Sequence, residues 1–439
     1  MADATDPAVD DLLEILKREN LFLTGAAGTG KSWMTNRIIE AYREAERGVV
    51  PLGSTGVSAV NIGGVTVHSF FVLGISNNFD ELKEHDRRNK KRLGELKRLL
   101  KATELIVIDE ISMIGVETLE MIRYRLESLG YRGRVMFVGD FFQLPPVQNS
   151  SHAAAAGLFG DATYAFESGA WRSFAPRVVE LRKMKRTRDA AFTRILSRIR
   201  RGERDREVVD YLLKLCNNDR VLGEEPTWLY GRNREVEAMN RESLRRLEGE
   251  EYLFFAELEK EKALHEKRLE SWLRLLPVSE SLHLKIGAPV LFTVNRWGRY
   301  VNGERGILRA VEEEFLVVEK EREFVRVEPH EFVLGEPGVD GEGRLEMRPL
   351  ATLKQFPLRL AYAVTIHKSQ GMSLDRLVCN VDTIFVPSQF YVAVSRATDP
   401  RGLKIDFNRG NLERWLERAI RVDERVRAYY DAVGEGEAK

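Results

Sequence analysis

Two cysteines, Cys216 and Cys379, are all that the 439 residues contain, and they stand too far apart in sequence for a metal-ligand pair or a disulfide framework. Such scarcity suits a reducing compartment and leaves neither thiol an obvious catalytic role. No run of about 18 apolar residues occurs. The N-terminus carries Asp3, Asp6, Asp10 and Asp11 where a secretory signal would be basic. Neither a membrane span nor a signal peptide is expected, and the cytoplasm is the expected location. Net charge is also missing: 68 Lys+Arg balance 68 Asp+Glu, so a global basic field cannot recruit a polyanion. Glutamine is scarce, at five residues, while 31% of the chain is charged, a balance that heat-adapted proteins favour.

What is present begins with length. At 439 residues and 43% hydrophobic content the chain is long enough for about three domains with ordinary cores. Basic charge, absent globally, is concentrated locally. Residues 182–206 hold eleven Lys/Arg against three Asp/Glu, and residues 85–101 hold eight against two, as a surface facing a phosphate backbone requires and as a solvated helix face also permits.

The most informative stretch is Thr24-Gly-Ala-Ala-Gly-Thr-Gly-Lys31-Ser32, directly after the apolar run Leu21-Phe-Leu23. A strand running into such a loop can turn its backbone N–H groups around phosphates, aided by the dipole of the helix that follows. Gly25, Ala27, Gly28, Thr29 and Gly30 would form the cradle, Lys31 would reach the β- and γ-phosphates of a nucleotide such as ATP, and Ser32 would ligate Mg²⁺. Three more apolar strands end in polar residues: Leu105-Ile-Val-Ile108 before Asp109, Val135-Met-Phe-Val138 before Gly139-Asp140, and Trp228-Leu-Tyr230 before Gly231-Arg232. Continuous apolar runs of this kind predict an α/β fold with parallel sheets buried on both faces. Ligands of such sheets sit beyond the carboxyl ends of the strands, so the motifs should converge.

The expected organisation is a first α/β domain over 1–74 and 102–183, interrupted by a small basic helical insertion at 75–101. A second α/β domain spans 184–241 and 352–405. Its insertion at 242–351 is read as a charged helical stretch over 242–275, followed by short β-type runs over 286–334 that form a small barrel. A C-terminal tail occupies 406–439, where Asn411 to Tyr430 reads as one amphipathic helix burying Trp415, Leu416, Ile420 and Val422.

Four constellations carry the predicted chemistry. At the end of its strand, Asp109 would hold Mg²⁺, and Glu110 would orient and deprotonate the attacking water. Gln143, in Gly139-Asp-Phe-Phe-Gln-Leu-Pro-Pro146, places an amide where it could sense a γ-phosphate, with Phe142 and Pro145 beside it as a stiff edge for stacking bases. Arg396, in Tyr391-Val-Ala-Val-Ser-Arg396, and Arg186, in Lys185-Arg186-Thr187, are the two candidates to stabilise charge on a transferring phosphoryl group from across a domain cleft. A surface ion pair is the plain alternative for each.

Together these segments resemble the Pif1 family of DNA helicases, in superfamily 1B. The resemblance rests on Gly25 to Ser32, Thr55-Gly-Val-Ser-Ala59, Ile62-Gly-Gly-Val-Thr-Val-His-Ser-Phe70, Ile108-Asp-Glu-Ile-Ser-Met113 and Gly139 to Pro146. It continues in Val301-Asn-Gly-Glu-Arg-Gly306, Thr365-Ile-His-Lys-Ser-Gln-Gly371 and Tyr391 to Arg396, in the family's order. It implies two RecA-like P-loop domains, with a small wedge insertion in the first and an SH3-like β-barrel in the second. It implies ATP-driven 5′-to-3′ motion along single-stranded DNA and unwinding of forked or structured DNA, with no obligatory protein partner and no membrane. By the same resemblance Thr55, His68, Ser69 and Phe70 touch DNA in the first domain, Thr365, His367, Lys368 and Ser369 touch it in the second, and Gln370 sits near the γ-phosphate. A core position is the alternative for Phe70. The chain departs from the family in two respects: residues 1–20 contain no glutamine to read adenine, and the family's signature segment between the two acidic strand motifs has only a weak echo at Met121–Arg134. A RecD-like recombination helicase shares most of these motifs, and a nucleotide-gated DNA clamp that never unwinds is the reading from another class.

Overall fold

The computed structural model describes residues 7–437 except 75, 77, 147–162, 263, 297, 321–322, 385–386 and 409; Asp3, Asp6 and Ile75 of the sequence reading lie outside them. Two compact units are distinguished. The first comprises residues 1–183, 335–349 and 423–439, and the second residues 184–334 and 350–422.

In the first unit, β1 (Leu21–Gly25), β2 (Val49–Gly53), β3 (Val65–Thr66), β4 (Leu105–Asp109), β5 (Arg134–Val138) and β6 (Arg177–Leu181) form one parallel sheet in the order β3-β2-β4-β5-β1-β6. Residues 21–25 and 105–108 are buried without alternation, as a sheet covered on both faces demands. One covering layer comes from the helices Val9–Arg18 and Lys31–Glu44, which pack Leu12, Leu16, Ile38, Ile39 and Tyr42 against Leu21, Leu23, Val107 and Val138. Register sets Leu21 opposite both Met136 and Arg177. Because the strands run the same way, Gly25, Asp109 and Val138 emerge at one edge, and the loops that follow them meet there. Between β3 and β4, helices Phe79–Arg88 and Lys90–Ala102 bury Leu82, Leu96, Leu99 and Leu100.

The second unit begins its strands with β7 (Thr227–Tyr230), β8 (Glu251–Phe255), β9 (Glu257–Lys260), β10 (Ser281–Lys285), β11 (Pro289–Phe292), β12 (Arg305–Val311), β13 (Leu316–Lys320) and β14 (Glu323–Val327). Next along the chain are β15 (His330–Val339) and β16 (Leu345–Gln355), whose residues 335–349 belong to the first unit, and then β17 (Leu358–Leu360), β18 (Ala363–Thr365), β19 (Leu377–Asn380) and β20 (Leu403–Asp406) of the second. A parallel sheet in the order β18-β7-β19-β20 is the α/β core of this unit. The antiparallel sheet β14-β13-β12-β11-β17 takes four strands from the inserted segment and its edge strand β17 from just beyond residue 351. Its alternation puts Val290, Phe292, Leu308, Leu316, Val318, Val325 and Val327 on the inner side, the period of two that half-buried strands require.

Two expectations are corrected here. The stretch 242–275 is not helical throughout: a helix ends at Arg246, β8 and β9 occupy 251–260, and a second helix spans Glu266–Leu275. Tyr252 and Phe254 turn inward while Leu253 and Phe255 stay exposed, and pairing with β10 overrides the helical propensity of the flanking charged residues. The tail is also not one helix. It breaks into Leu412–Ala419 and Glu424–Glu437, because Asp423 caps the second helix, its carboxylate accepting the N–H of Arg425 in the manner that starts helices. Leu416 and Ile420 are buried, whereas Trp415 and Val422 are half-buried.

Candidate nucleotide and nucleic-acid sites

At the end of β1 the chain turns through Gly28 and Gly30 at φ +85° and +100°, conformations that a Cβ disfavours. Thr29 Oγ1 donates to the Ala26 carbonyl at 2.9 Å. Lys31 Nζ donates to the carbonyls of Gly25 and Ala26 at 2.7 and 3.1 Å, so the ammonium spans the loop. Ser32 is exposed in the first helical turn. Residues 25–32 therefore make one cradle at a helix N-terminus, the geometry that receives anionic phosphates.

The neighbouring acids lie at the end of β4. Glu110 adopts φ +55° and ψ 48°, a left-handed conformation that costs a residue with a side chain on the order of 1–3 kcal/mol and clusters at functional sites. Its N–H donates to Asp109 Oδ1 at 2.9 Å. Room for this turn comes from the end of β5. A Cβ on Gly139 would stand 3.0 Å from both the backbone nitrogen and a side-chain carbon of Ile111. Burial pushes the Asp109 carboxyl up to about 6, opposed by the Glu110 N–H and by the charge of Lys31.

Magnesium takes oxygen ligands and keeps water and substrate phosphates in its shell, so one carboxylate and one hydroxyl suffice from the protein. Asp109 and Ser32 fit that donor set. Among the described residues no group of three or more His, Cys, Asp or Glu could hold a metal by itself.

Beyond β5, Gln143 is buried, and its amide donates to Asp140 Oδ2 at 3.4 Å. Phe142 is not the base-stacking edge expected of it. Its ring is buried and stacked on Tyr430, with centroids 4.8 Å apart at 15°, so it presents no face to a base. Pro145 is half-buried. Among the first-unit residues read as DNA contacts, His68 is exposed and Ser69 half-buried, whereas Phe70 is a core residue set edge-on against Phe71. Thr55 caps the helix Gly56–Asn61, accepting from the Ser58 N–H at 3.2 Å.

In the second unit the segment after β18 separates into two classes. His367 and Lys368 are exposed, and burial of their inner atoms lowers the pKa of both groups. Thr365 and Ser369 are buried; the Thr365 hydroxyl accepts the Lys368 N–H at 3.2 Å, and the Ser369 hydroxyl donates to the Ile366 carbonyl at 2.8 Å. These two hydroxyls shape the turn, a correction to their reading as DNA contacts.

Arg186 and Arg396 come together. Arg396 is buried and donates to the carbonyls of Val392 and Ser369 and to Ser395 Oγ. Arg186 donates to the Ser395 carbonyl at 2.8 Å, to Ser373 Oγ at 2.9 Å and to the carbonyl of Gly371, next to Gln370, at 3.4 Å. Burial and the neighbouring Arg396 charge hold the Arg186 guanidinium well below its usual range, and no carboxylate pairs with it among the described residues. Arg186, fixed by neutral acceptors beside a second guanidinium, is suited to a polyanion. Arg198 differs: Glu203, Asp205 and Glu207 all pair with it, so a phosphate would have to compete with three carboxylates for it.

Comparison with known proteins follows these motifs. The PIF1-like helicase family matches residues 7–210, and a family described as Helicase matches residues 342–428. The ATP-dependent DNA helicase Pif1 of Campylobacter jejuni is 40% identical over 434 residues, covering 96% of each chain. This chain belongs to the Pif1 family. It is an ATP-hydrolysing DNA helicase. Human ATP-dependent DNA helicase PIF1 is 31% identical over 97% of this chain and 63% of its own length. Among solved structures, Bacteroides sp. Pif1 in complex with ADP-AlF4 superposes with a TM-score of 0.83 at 26% identity, covering 98% of this chain and 96% of that one. Bacteroides Pif1 bound to ssDNA gives 0.62 at 26% identity, over 98% and 97%. The fold is therefore the two-domain RecA-like α/β architecture of Pif1 helicases.

Sequence reasoning missed Tyr429 and Tyr430 as neighbours of the nucleotide-side motifs. Tyr430 stacks on Phe142, and Tyr429 stacks on Phe166 with centroids 4.5 Å apart. An aromatic pair ending an amphipathic pattern was the available signal, but nothing in the sequence says which strand end receives it.

Proposed function

We propose that this Pif1-family helicase translocates 5′-to-3′ on single-stranded DNA and opens duplex or forked DNA, from a cytoplasmic location. The observation carrying the reading is the meeting, at one edge of one parallel sheet, of the Gly25–Ser32 cradle, the strained Glu110 turn and the Gln143 loop. In this reading Gly25, Ala27, Gly28, Thr29, Gly30, Lys31 and Ser32 bind the phosphates of ATP, with Gln370 near the γ-phosphate. Glu110 orients the attacking water and accepts its proton, while Gln143 senses the γ-phosphate. Arg186 and Arg396 offset the charge that develops on the transferring phosphoryl group. Asp109 and Ser32 would hold Mg²⁺, which supplies charge neutralisation of the phosphate oxygens when bound. His68, Ser69, His367 and Lys368 face the DNA strand, with Thr55 and Pro145 at its margin.

Support for the DNA reading comes from the Bacteroides relative bound to ssDNA. Among the described residues no helix is long and apolar enough to cross a membrane. Strand displacement on duplexes carrying a 5′ or a 3′ single-stranded tail is the deciding experiment. Unwinding of the 5′-tailed substrate alone, dependent on ATP and magnesium, is expected. Preference for the 3′-tailed substrate would overturn the direction, and ATP hydrolysis with no unwinding of either would favour a clamp.

A further inference from the structure

The phenol oxygen of Tyr430, in the C-terminal helix Glu424–Glu437, meets three polar groups. It stands 2.7 Å from Thr24 Oγ1, accepts the Phe141 N–H at 3.2 Å and lies 3.5 Å from Asp140 Oδ1. All three belong to the edge of the first sheet where the nucleotide motifs meet. Thr24 precedes Gly25, whose carbonyl accepts Lys31 Nζ. Asp140 organises the loop after β5: its carboxylate accepts the Phe142 N–H at 3.2 Å and the Gln143 amide at 3.4 Å. One hydroxyl therefore joins the root of the phosphate cradle to the carboxylate that holds Gln143.

The helix is docked here by more than that oxygen. Tyr429 meets Phe141 edge-on with centroids 5.7 Å apart, and Phe141 is also edge-on to Phe166 and Trp171. At the start of the helix Arg425 pairs with Glu167 at 3.1 Å. Covering those rings asks only for apolar surface, which phenylalanine at position 430 would supply equally well. A buried hydroxyl costs free energy unless its hydrogen bonds are made. Its bonds here go to the two segments that read phosphate. The cradle has further bonds of its own, from Thr29 Oγ1 and Lys31 Nζ to the loop carbonyls, whereas the Gln143 amide leans on Asp140, the residue that Tyr430 reaches.

We infer that Tyr430 is a positioning residue for ATP hydrolysis. Acting through Asp140, its hydroxyl sets the Gln143 side chain at the place, relative to the cradle, where a γ-phosphate can be read. This rests on the reading of Gln143 as γ-phosphate sensor and deepens it. Tyr430 itself touches no phosphate in this scheme. Its influence falls on turnover, because the cradle alone suffices to hold the phosphates that ATP and ADP share.

The test compares steady-state ATPase kinetics at saturating oligothymidylate, and ADP affinity by direct titration, for the wild type, Tyr430→Phe, Gln143→Ala and the double variant. Tyr430→Phe is expected to lower kcat by about 10-fold or more, since small displacements of a positioned group are amplified in the rate. KM for ATP and the affinity for ADP should stay within about twofold, the pattern of an interaction that matters only beyond ground-state binding. The double variant should be no slower than Gln143→Ala, because a residue acting through Gln143 adds nothing once that side chain is gone. Should Tyr430→Phe fail to fold, Thr24→Val breaks the same contact from the strand side and is expected to lower kcat in the same sense. Losses that multiply in the double variant overturn the inference, as does a raised KM with kcat unchanged. Wild-type kcat in Tyr430→Phe beside a slow Gln143→Ala also overturns it and leaves the sensor reading intact. Full turnover in Gln143→Ala overturns the sensor reading itself.

Discussion

The hydroxyl of Tyr430 lies 2.7 Å from Oγ1 of Thr24, a residue 406 positions earlier in the chain. Thr24 sits fully buried in β1, just before the phosphate cradle, and the same hydroxyl accepts the Phe141 N–H at 3.2 Å and reaches Asp140 at 3.5 Å. The C-terminal helix thereby joins the end of β1 to the loop that carries Gln143. Tyr430→Phe keeps the ring stacked on Phe142 but strips Thr24 and the Phe141 N–H of a buried partner. Stability should fall by about 1–3 kcal/mol, read from urea denaturation midpoints. An unchanged midpoint would show that the linkage is energetically idle.

Glu110→Gln preserves size and the strained turn but cannot accept a proton. Nucleotide binding should persist while DNA-stimulated turnover drops by about 10²-fold or more. Near wild-type turnover would remove Glu110 from the role of base.

The two arginines that share Ser395 should separate on stability. Arg186→Ala leaves a half-buried site and is expected to cut turnover by about 10³-fold with little change in melting temperature. Arg396→Ala empties a buried position whose donors hold Val392 and Ser369, so both turnover and melting temperature should fall. Steady-state ATPase rates and thermal melts of the two variants side by side decide the matter. If Arg186→Ala keeps full turnover, Arg396 remains the sole finger.

Arg125 is buried, pairs with Asp86 and donates to the carbonyls of Phe71 and Val72 at 3.0 and 3.1 Å. It ties helix Val116–Ser128 to the helix Phe79–Arg88 of the small insertion. Arg125→Met leaves the carboxylate of Asp86 uncompensated and should cost about 3–5 kcal/mol. Adding Asp86→Ala should recover part of that loss, as denaturant titration of the single and double variants would reveal. A double variant no more stable than the single would assign the whole effect to the two carbonyls.

By itself the sequence determined the phosphate cradle, the acid pair and the parallel strands, because those features are local: a loop of Gly28, Gly30 and Lys31 after an apolar run has one economical use, and buried parallel strands advertise themselves as unbroken apolar runs. Tertiary structure alone decided which members of each motif face outward. Phe142, Phe70, Thr365 and Ser369 stand in the right segments, yet packing against Tyr430 and Phe71 and hydrogen bonds within the turn commit them to the interior. The same holds for charge. Arg198 and Arg359 are the same residue type, but three carboxylates surround the first, whereas among the described residues the second donates only to the Met372 sulfur. Pairings over hundreds of residues, such as Thr24 with Tyr430, depend on how sheets and helices close on one another, and no local periodicity encodes that closure.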